Sequence, residues 1–592
     1  MRTTAVTLAL VLSASASLAQ QTADAVQPEG ATDGRFTSID PTVAAALEAK
    51  ALGKPVQAQN WMVAAANPHA VKAGADVLRV GGTAADALVA VQTVLGLVEP
   101  QSSGIGGGAF LVYFDAATGE LMTLDGRETA PLAATPRLFQ NDDGEPMGFF
   151  DAVVGGLSVG TPGTPALLQE AHDRWGKSQW SGLFEPAIAL ATNGFSVSPR
   201  LAALVESDAE RLSVHSETKA YFLPDGVVLQ SGDTLKNAPY AATLQAMAQN
   251  GANAIYGGDI AADIVDAVQG AASPGVLSTI DLAIYQTKAR PAVCATYRGL
   301  DVCGMGPPSS GALTVGQILG MLDSYDLSAG PDDADVRRLM GDASRLAFAD
   351  RGRYMADSDY VPVPTKGLVD PAYLAERAGL LAGDTALKDV SAGTPAFDHA
   401  LNWADDEAIE LPSTSHISIV DSYGSVASMT TTIENAFGSR VMTNGFLLNN
   451  ELTDFSFRSH RDGVPIANRI EPGKRPRSSM APTIVMQNDK PVLAIGSPGG
   501  SRIIGYVAES IIAYVDWGMD VQQAVSVPHA VNRFGKYDVE DGTDATALEG
   551  PLTAMGFDVG ARGLNSGLHA IAIGETLQGG ADPRREGIAL GE

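Results

Sequence analysis

Thr414 opens the run Thr414-Ser-His-Ile-Ser-Ile-Val420, which alternates as a strand does, turns through Asp421-Ser-Tyr-Gly424 and returns as Ser425-Val-Ala-Ser-Met-Thr-Thr-Thr432. A threonine hydroxyl is a weak nucleophile unless a base sits beside it. When threonine is the first residue of a chain, its own α-amino group can be that base, with an ordinary pKa of about 7.7–8.0. Position 414 is internal, so this chemistry requires cleavage between Ser413 and Thr414. Counting outward from the turn brings Thr432 within about one residue of opposite Thr414, where a second hydroxyl would hold the first. By themselves these features are equally those of an ordinary packed strand, in which threonine is common. His416 lies two residues on and shares the face of Thr414. A terminal amine already supplies a base, and neither HExxH nor a His-pair spacing suggests a metal. His416 is therefore read as structural or as an aid to self-cleavage, and no metal or organic cofactor is expected.

The elements that must position these residues alternate helix-like and strand-like patterns along 592 residues that are 45% hydrophobic, enough for a large α/β body. Pro68 to Leu95 reads as a helical region broken at Gly81-Gly82. Phe110–Phe114 and Leu121–Leu124 read as strands around a turn, and Thr164 to about Gln286 as mostly helical. A further helix is expected after Ser309-Ser-Gly-Ala. Residues 384–413 hold no sustained period and read as a long, mobile loop leading into Thr414. Residues 20–57, rich in Ala, Gln, Thr and Asp, read as a loosely ordered leader.

Met1-Arg2, an apolar run from Ala5 to Leu12 and small residues ending Ser17-Leu18-Ala19 fit a signal peptide over residues 1–19 and a secreted or periplasmic product. The apolar run is much shorter than the ~20 residues of a membrane span. A formal net charge of −29 argues against nucleic acid as a partner. If Arg298-Gly299 is a two-residue hairpin turn, Cys294 falls opposite Cys303. An oxidising compartment would join them as a disulfide, the alternative being two buried thiols.

Four segments after residue 413 resemble, in order, the small-subunit motifs of γ-glutamyltranspeptidases: Thr414–Asp421, Leu447-Leu-Asn-Asn-Glu-Leu-Thr-Asp-Phe-Ser456, Arg475-Pro-Arg-Ser-Ser-Met-Ala-Pro-Thr483 and Gly496-Ser-Pro-Gly-Gly-Ser-Arg502. Pro100-Gln-Ser-Ser-Gly-Ile-Gly-Gly-Gly-Ala-Phe110, Asp125-Gly-Arg-Glu-Thr-Ala-Pro131 and Pro307-Pro-Ser-Ser-Gly311 resemble the large-subunit side. The resemblance runs from about Met62 to the C-terminus. It implies a four-layer αββα sandwich of the N-terminal nucleophile hydrolase class, built by a large subunit (58–413) and a small catalytic subunit (414–592) that remain together as a heterodimer after self-cleavage.

It implies roles as well. Thr414 would be the nucleophile, Thr432 its support, and the Gly499 and Gly500 amides the oxyanion hole. Arg127, Ser478 and Ser479 would bind the substrate's α-carboxylate, and Glu451 and Asp454 its α-ammonium. The implied substrates are glutathione and other γ-glutamyl compounds, with water, amino acids or dipeptides as acceptors.

Two departures bear on specificity. Glu434 stands where many relatives carry Asn. It adds a third carboxylate, or pairs with an arginine such as Arg440, and three carboxylates together would raise one another's pKa values. The segment Phe455–Arg477 lacks the lid tyrosine of some relatives, which predicts a more open pocket. A cephalosporin or glutaryl acylase on the same fold is the alternative enzyme, disfavoured by three carboxylates facing a group without an amine. A non-catalytic periplasmic binding protein is the third reading, and it would remain uncut.

Overall fold

In the computed structural model, residues 36, 40–399, 402–406, 408 and 410–592 are described. The expected signal peptide and the leader up to residue 35 lie outside them. The strands that matter are, in chain order, β1 (Val56–Ala58), β2 (Met62–Ala65), β3 (Gly108–Asp115), β4 (Glu120–Gly126), β5 (Lys288–Pro291), β6 (Val293–Tyr297), β7 (Leu300–Gly304), β8 (Ser415–Val420), β9 (Val426–Thr432), β10 (Thr483–Gln487), β11 (Lys490–Gly496), β12 (His569–Ile573), β13 (Leu577–Ala581) and β14 (Ile588–Gly591). They form two seven-stranded sheets, ordered β14-β2-β8-β9-β3-β4-β5 and β1-β13-β12-β11-β10-β7-β6. Strands from before and after residue 414 thus share both sheets. In the first, β8 is flanked by β2 on one side and β9 on the other.

The sheets meet through Met62, Ala64, Val112, Phe114, Val420 and Val426 on one side and Cys303, Ile484, Ala494 and Ile571 on the other. Helices Pro68–Arg79, Ala84–Val98 and Thr164–Trp175 bury their apolar residues in the core outside the first sheet. Helices Gly311–Leu322, Ala334–Tyr354 and Ile503–Val515 do the same outside the second. The result is helix, sheet, sheet, helix. Every residue of β8 and β9 is buried, because helices cover one face of the hairpin and the second sheet covers the other.

Local chemistry explains the boundaries. The helical break at Gly81-Gly82 has Gly81 at φ +89°, and Thr83 then caps the next helix in a reciprocal capping box with Asp86. Asp421 organises the β8–β9 turn: its Oδ1 accepts from the Tyr423 and Ser425 amides, both at 2.9 Å. Its Oδ2 accepts from the Ala84 amide at 2.9 Å, tying the turn to a helix start. Cys294 lies opposite Cys303 across β6 and β7, and the two are joined by a disulfide.

The leader differs from its expectation. Pro41–Ala51 is a helix capped by Asp40, and β1 joins the second sheet. The reason is long-range: Lys50, near the helix end, donates from Nζ to the carbonyls of Arg585 and Gly587, each at 2.7 Å. Among the described residues no helix is long and apolar enough to cross a membrane.

Candidate active site

Thr414 stands immediately before β8. The ladder pairs Ser415 with Thr431, so Thr414 falls opposite Thr432 at the end of β9. The two hydroxyl oxygens are 3.3 Å apart. Thr432 Oγ1 donates to the Ser413 carbonyl at 3.0 Å, and Thr414 Oγ1 contacts the same oxygen. Thr432 is held in turn by the Glu434 amide at 2.8 Å. Ser413 donates its hydroxyl to the Gln101 carbonyl at 2.7 Å, and Arg585 Nη1 donates to the Thr414 carbonyl at 3.1 Å. A hydroxyl held against the carbonyl of the preceding residue can attack it, which is the geometry an N-to-O acyl shift needs.

His416 takes no part in this corner. Its Nδ1 is 2.9 Å from Thr430 Oγ1 and its Nε2 is 3.0 Å from Ser418 Oγ. Burial and the neighbouring His569 push its pKa well below the usual histidine range, so it stays neutral.

The expected carboxylate and ammonium ligands converge on the same place but pair with one another. Arg127, fully buried, donates from Nη1 to Glu451 and from Nη2 to Asp454. Its Nε reaches the Pro476 carbonyl at 3.2 Å and Nη2 the Arg477 carbonyl at 2.9 Å. Glu128 lies 3.8 Å from Nη1. Burial, and then the crowding of acid against acid, push Glu451 and Asp454 well above the ordinary carboxylate range despite Arg127. Glu434 is raised for the same reasons. Glu434 does not pair with Arg440, whose Nε goes to Asp208 at 2.8 Å. Its Oε1 instead accepts from the Leu411 amide at 3.0 Å and its Oε2 from Asn450.

Gly499 and Gly500, at φ +136° and +59°, turn the chain from β11 into the helix beginning at Ile503. Both backbone conformations favour glycine. Against Gly500 lies the segment preceding Thr414: a Cβ there would sit 2.5 Å from the Glu410 carbonyl oxygen. Glu410, Leu411 and Ser413 are buried, so this end of the loop is packed into the site. Glu410 Oε2 accepts from the Ser479 hydroxyl at 3.0 Å, while Arg351 Nη2 donates to Glu410 Oε1 and, at 2.7 Å, to Ser479 Oγ. Ser478 turns its hydroxyl to accept from the Met480 amide at 3.1 Å.

The cavity enclosed by Arg127, Glu410, Thr414, Glu451, Asp454 and Ser479 is only about 20 Å³, room for about one water. Glu410 and Leu411 line this space in the continuous chain; the open pocket expected from the tyrosine-free Phe455–Arg477 segment concerns a cleaved form. The motifs did not disclose Glu410, Arg351 or Arg585, whose only signal is contact across the fold; Gln101 and Glu128 lie inside quoted motifs, where no role was read for them.

Glu128 gives a test of the electrostatics. Burial, only partly offset by Arg127, pushes its carboxyl up to about 8. A carboxyl whose folded pKa is raised contributes stability that is full below its unfolded pKa and is lost as pH rises through the folded value. Glu128→Gln, made in an uncut Thr414→Ala background, should therefore gain in thermal midpoint on its parent as pH rises from about 5 to 9. A midpoint difference independent of pH would show that Glu128 is not held protonated by the fold.

The family model described as gamma-glutamyltranspeptidase matches residues 70–592. The chain is 38% identical to a glutathione hydrolase proenzyme of Bacillus subtilis (strain 168), covering 90% of this chain and 92% of that protein. It is 33% identical to an acylase ACY 1 proenzyme of Pseudomonas sp. (strain V22), over 91% and 94%. Among solved structures, cephalosporin acylase from Bacillus halodurans aligns with a TM-score of 0.81 at 25% identity, over 91% of this chain and 97% of that one. Helicobacter pylori γ-glutamyltranspeptidase aligns at 0.55 and 34% identity, over 56% and 96%. The αββα layering is that of the N-terminal nucleophile hydrolases, and this chain belongs to the γ-glutamyltranspeptidase family.

Proposed function

We propose that this protein is a self-activating γ-glutamyl hydrolase and transferase with Thr414 as its nucleophile. The observation that carries the reading is the Thr414 hydroxyl, held between Thr432 and the Ser413 carbonyl beside the Arg127–Glu451–Asp454 cluster.

In the first stage Thr414 Oγ attacks the Ser413 carbonyl carbon, the peptide C–N bond breaks, and the resulting ester is hydrolysed. Residues 58–413 and 414–592 then remain associated as two subunits through their shared sheets. Cleavage turns the Thr414 amide into an α-amine able to act as base. Arg585, a cation beside the Thr414 carbonyl, disfavours the protonated amine.

In the second stage Thr414 attacks the γ-carbonyl of glutathione or a related compound, and the amine takes the hydroxyl proton. The Gly499 and Gly500 amides receive the oxyanion and the leaving amine departs protonated. Water or an incoming amine then resolves the γ-glutamyl ester. Glu434, Glu451 and Asp454 form the wall for the α-ammonium. Arg127, bound to two of them, organises that wall. The α-carboxylate faces the hydroxyls of Ser478 and Ser479. A signal peptide over residues 1–19 and a disulfide suit an exported enzyme.

An acylase that prefers a glutaryl group is the second reading, favoured by the likeness to the two acylases. Purified, self-cleaved protein should release γ-glutamyl groups faster than glutaryl groups from the same leaving amine. The reverse order would assign it to the acylases. A chain that never cuts would favour the binding-protein reading instead.

A further inference from the structure

The Thr414 carbonyl is gripped by a residue whose own backbone is held from the other end of the chain. Arg585 is buried, and its Nη1 donates to that carbonyl at 3.1 Å. The rest of its guanidinium lies along Asn565, with Nε 3.3 Å from Oδ1 and Nη2 3.3 Å from the carbonyl oxygen. Arg585 sits in the connection 582–587, between β13 of the second sheet and β14 of the first. β14 pairs with β2, and β2 pairs with β8, the strand that Thr414 precedes.

The front of this connection is anchored by Asp582. Its Oδ1 accepts from the Arg584 amide at 2.9 Å, and its Oδ2 from the Leu568 amide at 3.1 Å and from the Ser566 hydroxyl. The rear is held from far away in the sequence. The Arg200 amide donates to Glu586 Oε1 at 2.9 Å, and Lys50 Nζ donates to the carbonyls of Arg585 and Gly587, each at 2.7 Å. An ammonium has three donors and no acceptor, so one lysine can hold both carbonyls. Arg585 and Gly587 are buried, where a carbonyl without a partner is costly. Arg585 is therefore fixed at its carbonyl by the leader helix Pro41–Ala51 and at its guanidinium by Thr414 and Asn565.

Cleavage makes this grip matter more. In the uncut chain Thr414 has a covalent neighbour on each side. Once Ser413 is detached Thr414 is a chain end, and chain ends fray unless tied down. The pairing of β8 with β9 begins one residue later, at Ser415 with Thr431. The tie on the Thr414 carbonyl is then the one from Arg585.

We infer that Lys50 is a positioning residue for the proposed reaction: by fixing the backbone of Arg585 it sets how that guanidinium holds the Thr414 carbonyl, and so where the nucleophilic hydroxyl and its amine stand. The inference rests on Thr414 as the nucleophile. It gives the leader helix a part in turnover although the helix does not touch the site.

The test is a double-mutant cycle on self-cleaved protein with γ-glutamyl-p-nitroanilide as donor. Lys50→Met keeps a long unbranched side chain and removes the donors. It should lower kcat by about 10- to 100-fold, the range for a reacting group displaced by about 1 Å. KM should stay nearly unchanged, because Arg127, Glu451, Asp454 and Ser478 are untouched. Lys50→Arg should recover part of kcat. Arg585→Met should lower kcat at least as far, and adding Lys50→Met to it should cost nothing further, as for two residues acting through one contact. Self-cleavage of the same precursors should slow by a smaller factor, since Thr414 then keeps both covalent neighbours.

A Lys50→Met enzyme with the kcat of wild type overturns the inference. So does a loss that adds in full to that of Arg585→Met, which would leave Lys50 a purely structural role. Should Lys50→Met not fold, Lys50→Gln, which keeps an N–H donor group, takes its place; should Arg585→Met stay uncut, Arg585→Lys does. The two readings fail separately. A Thr414→Ala chain that still cuts and turns over removes the nucleophile, whereas an inactive Thr414→Ala beside a fully active Lys50→Met removes only the role given to Lys50.

Discussion

Thr414→Ala is expected to give a single uncut chain with no measurable turnover of γ-glutamyl donors. The same oxygen is needed twice. In the uncut chain it is the only hydroxyl attached to the residue whose amide is to be broken, and it lies against the Ser413 carbonyl. In the cut chain it must carry the acyl group. Thr432 does not substitute: its hydroxyl, 3.0 Å from the Ser413 oxygen, belongs to a mid-chain residue with an amide nitrogen and no free amine. Loss of a nucleophile typically costs about 10⁴-fold or more in rate, and here the base is lost with it, because uncut residue 414 has no α-amine. Denaturing electrophoresis and a donor assay on the same sample check both parts. Thr414→Ser, which keeps the hydroxyl, should cut and turn over, though more slowly. Normal cutting by Thr414→Ala would place the nucleophile elsewhere.

Gly500→Ala should be the next most damaging change. Its Cβ would stand 2.5 Å from the Glu410 carbonyl oxygen and 2.7 Å from the Leu411 carbonyl carbon. Both are backbone atoms in a buried segment, so no side chain can swing aside. Either the Gly500 amide moves from the place where the proposed function needs it for the oxyanion, or Glu410–Leu411 moves and carries Ser413 away from the Thr414 hydroxyl. A misplaced oxyanion donor typically costs on the order of 10²- to 10³-fold in kcat, so both self-cleavage and turnover should fall by about that much. The φ of +59° adds strain of its own. Gly535→Ala separates the two effects, since Gly535 has φ +60° with nothing within 4 Å of its Cβ position. It should lose some stability and no activity. Equal behaviour of the two variants would rule out the clash as the cause.

The features legible in the sequence are those that local counting can reach. An antiparallel hairpin fixes its register from its turn, so Thr414 against Thr432 and Cys294 against Cys303 follow from a few residues each. The break at Gly81-Gly82 follows from backbone permissiveness and the capping box just after it, and the helix after Ser309, which has no side-chain cap, from its apolar pattern. The docked leader did not follow, because the carbonyls that hold Lys50 lie more than five hundred residues away in the chain. Arg351 was equally silent: it meets Glu410 across 59 residues and Ser479 across 128. One arginine among many in a helix carries no mark of such a partner.

Sequence alone determined the αββα class, the threonine at the head of a strand after an unpatterned segment, and the ordered motifs that go with it. The strand, its turn and the unpatterned segment are matters of period and turn chemistry; the αββα class came from the resemblance of the ordered motifs to a known family. Only the tertiary structure decided how charge is divided around that threonine. It joined Arg127 to the acids expected to work apart from it. It also set Glu410 between Arg351, Arg477 and Ser479, beside Thr414 in the continuous chain. The physical reason is burial: charges withdrawn from water must find partners wherever the fold brings them.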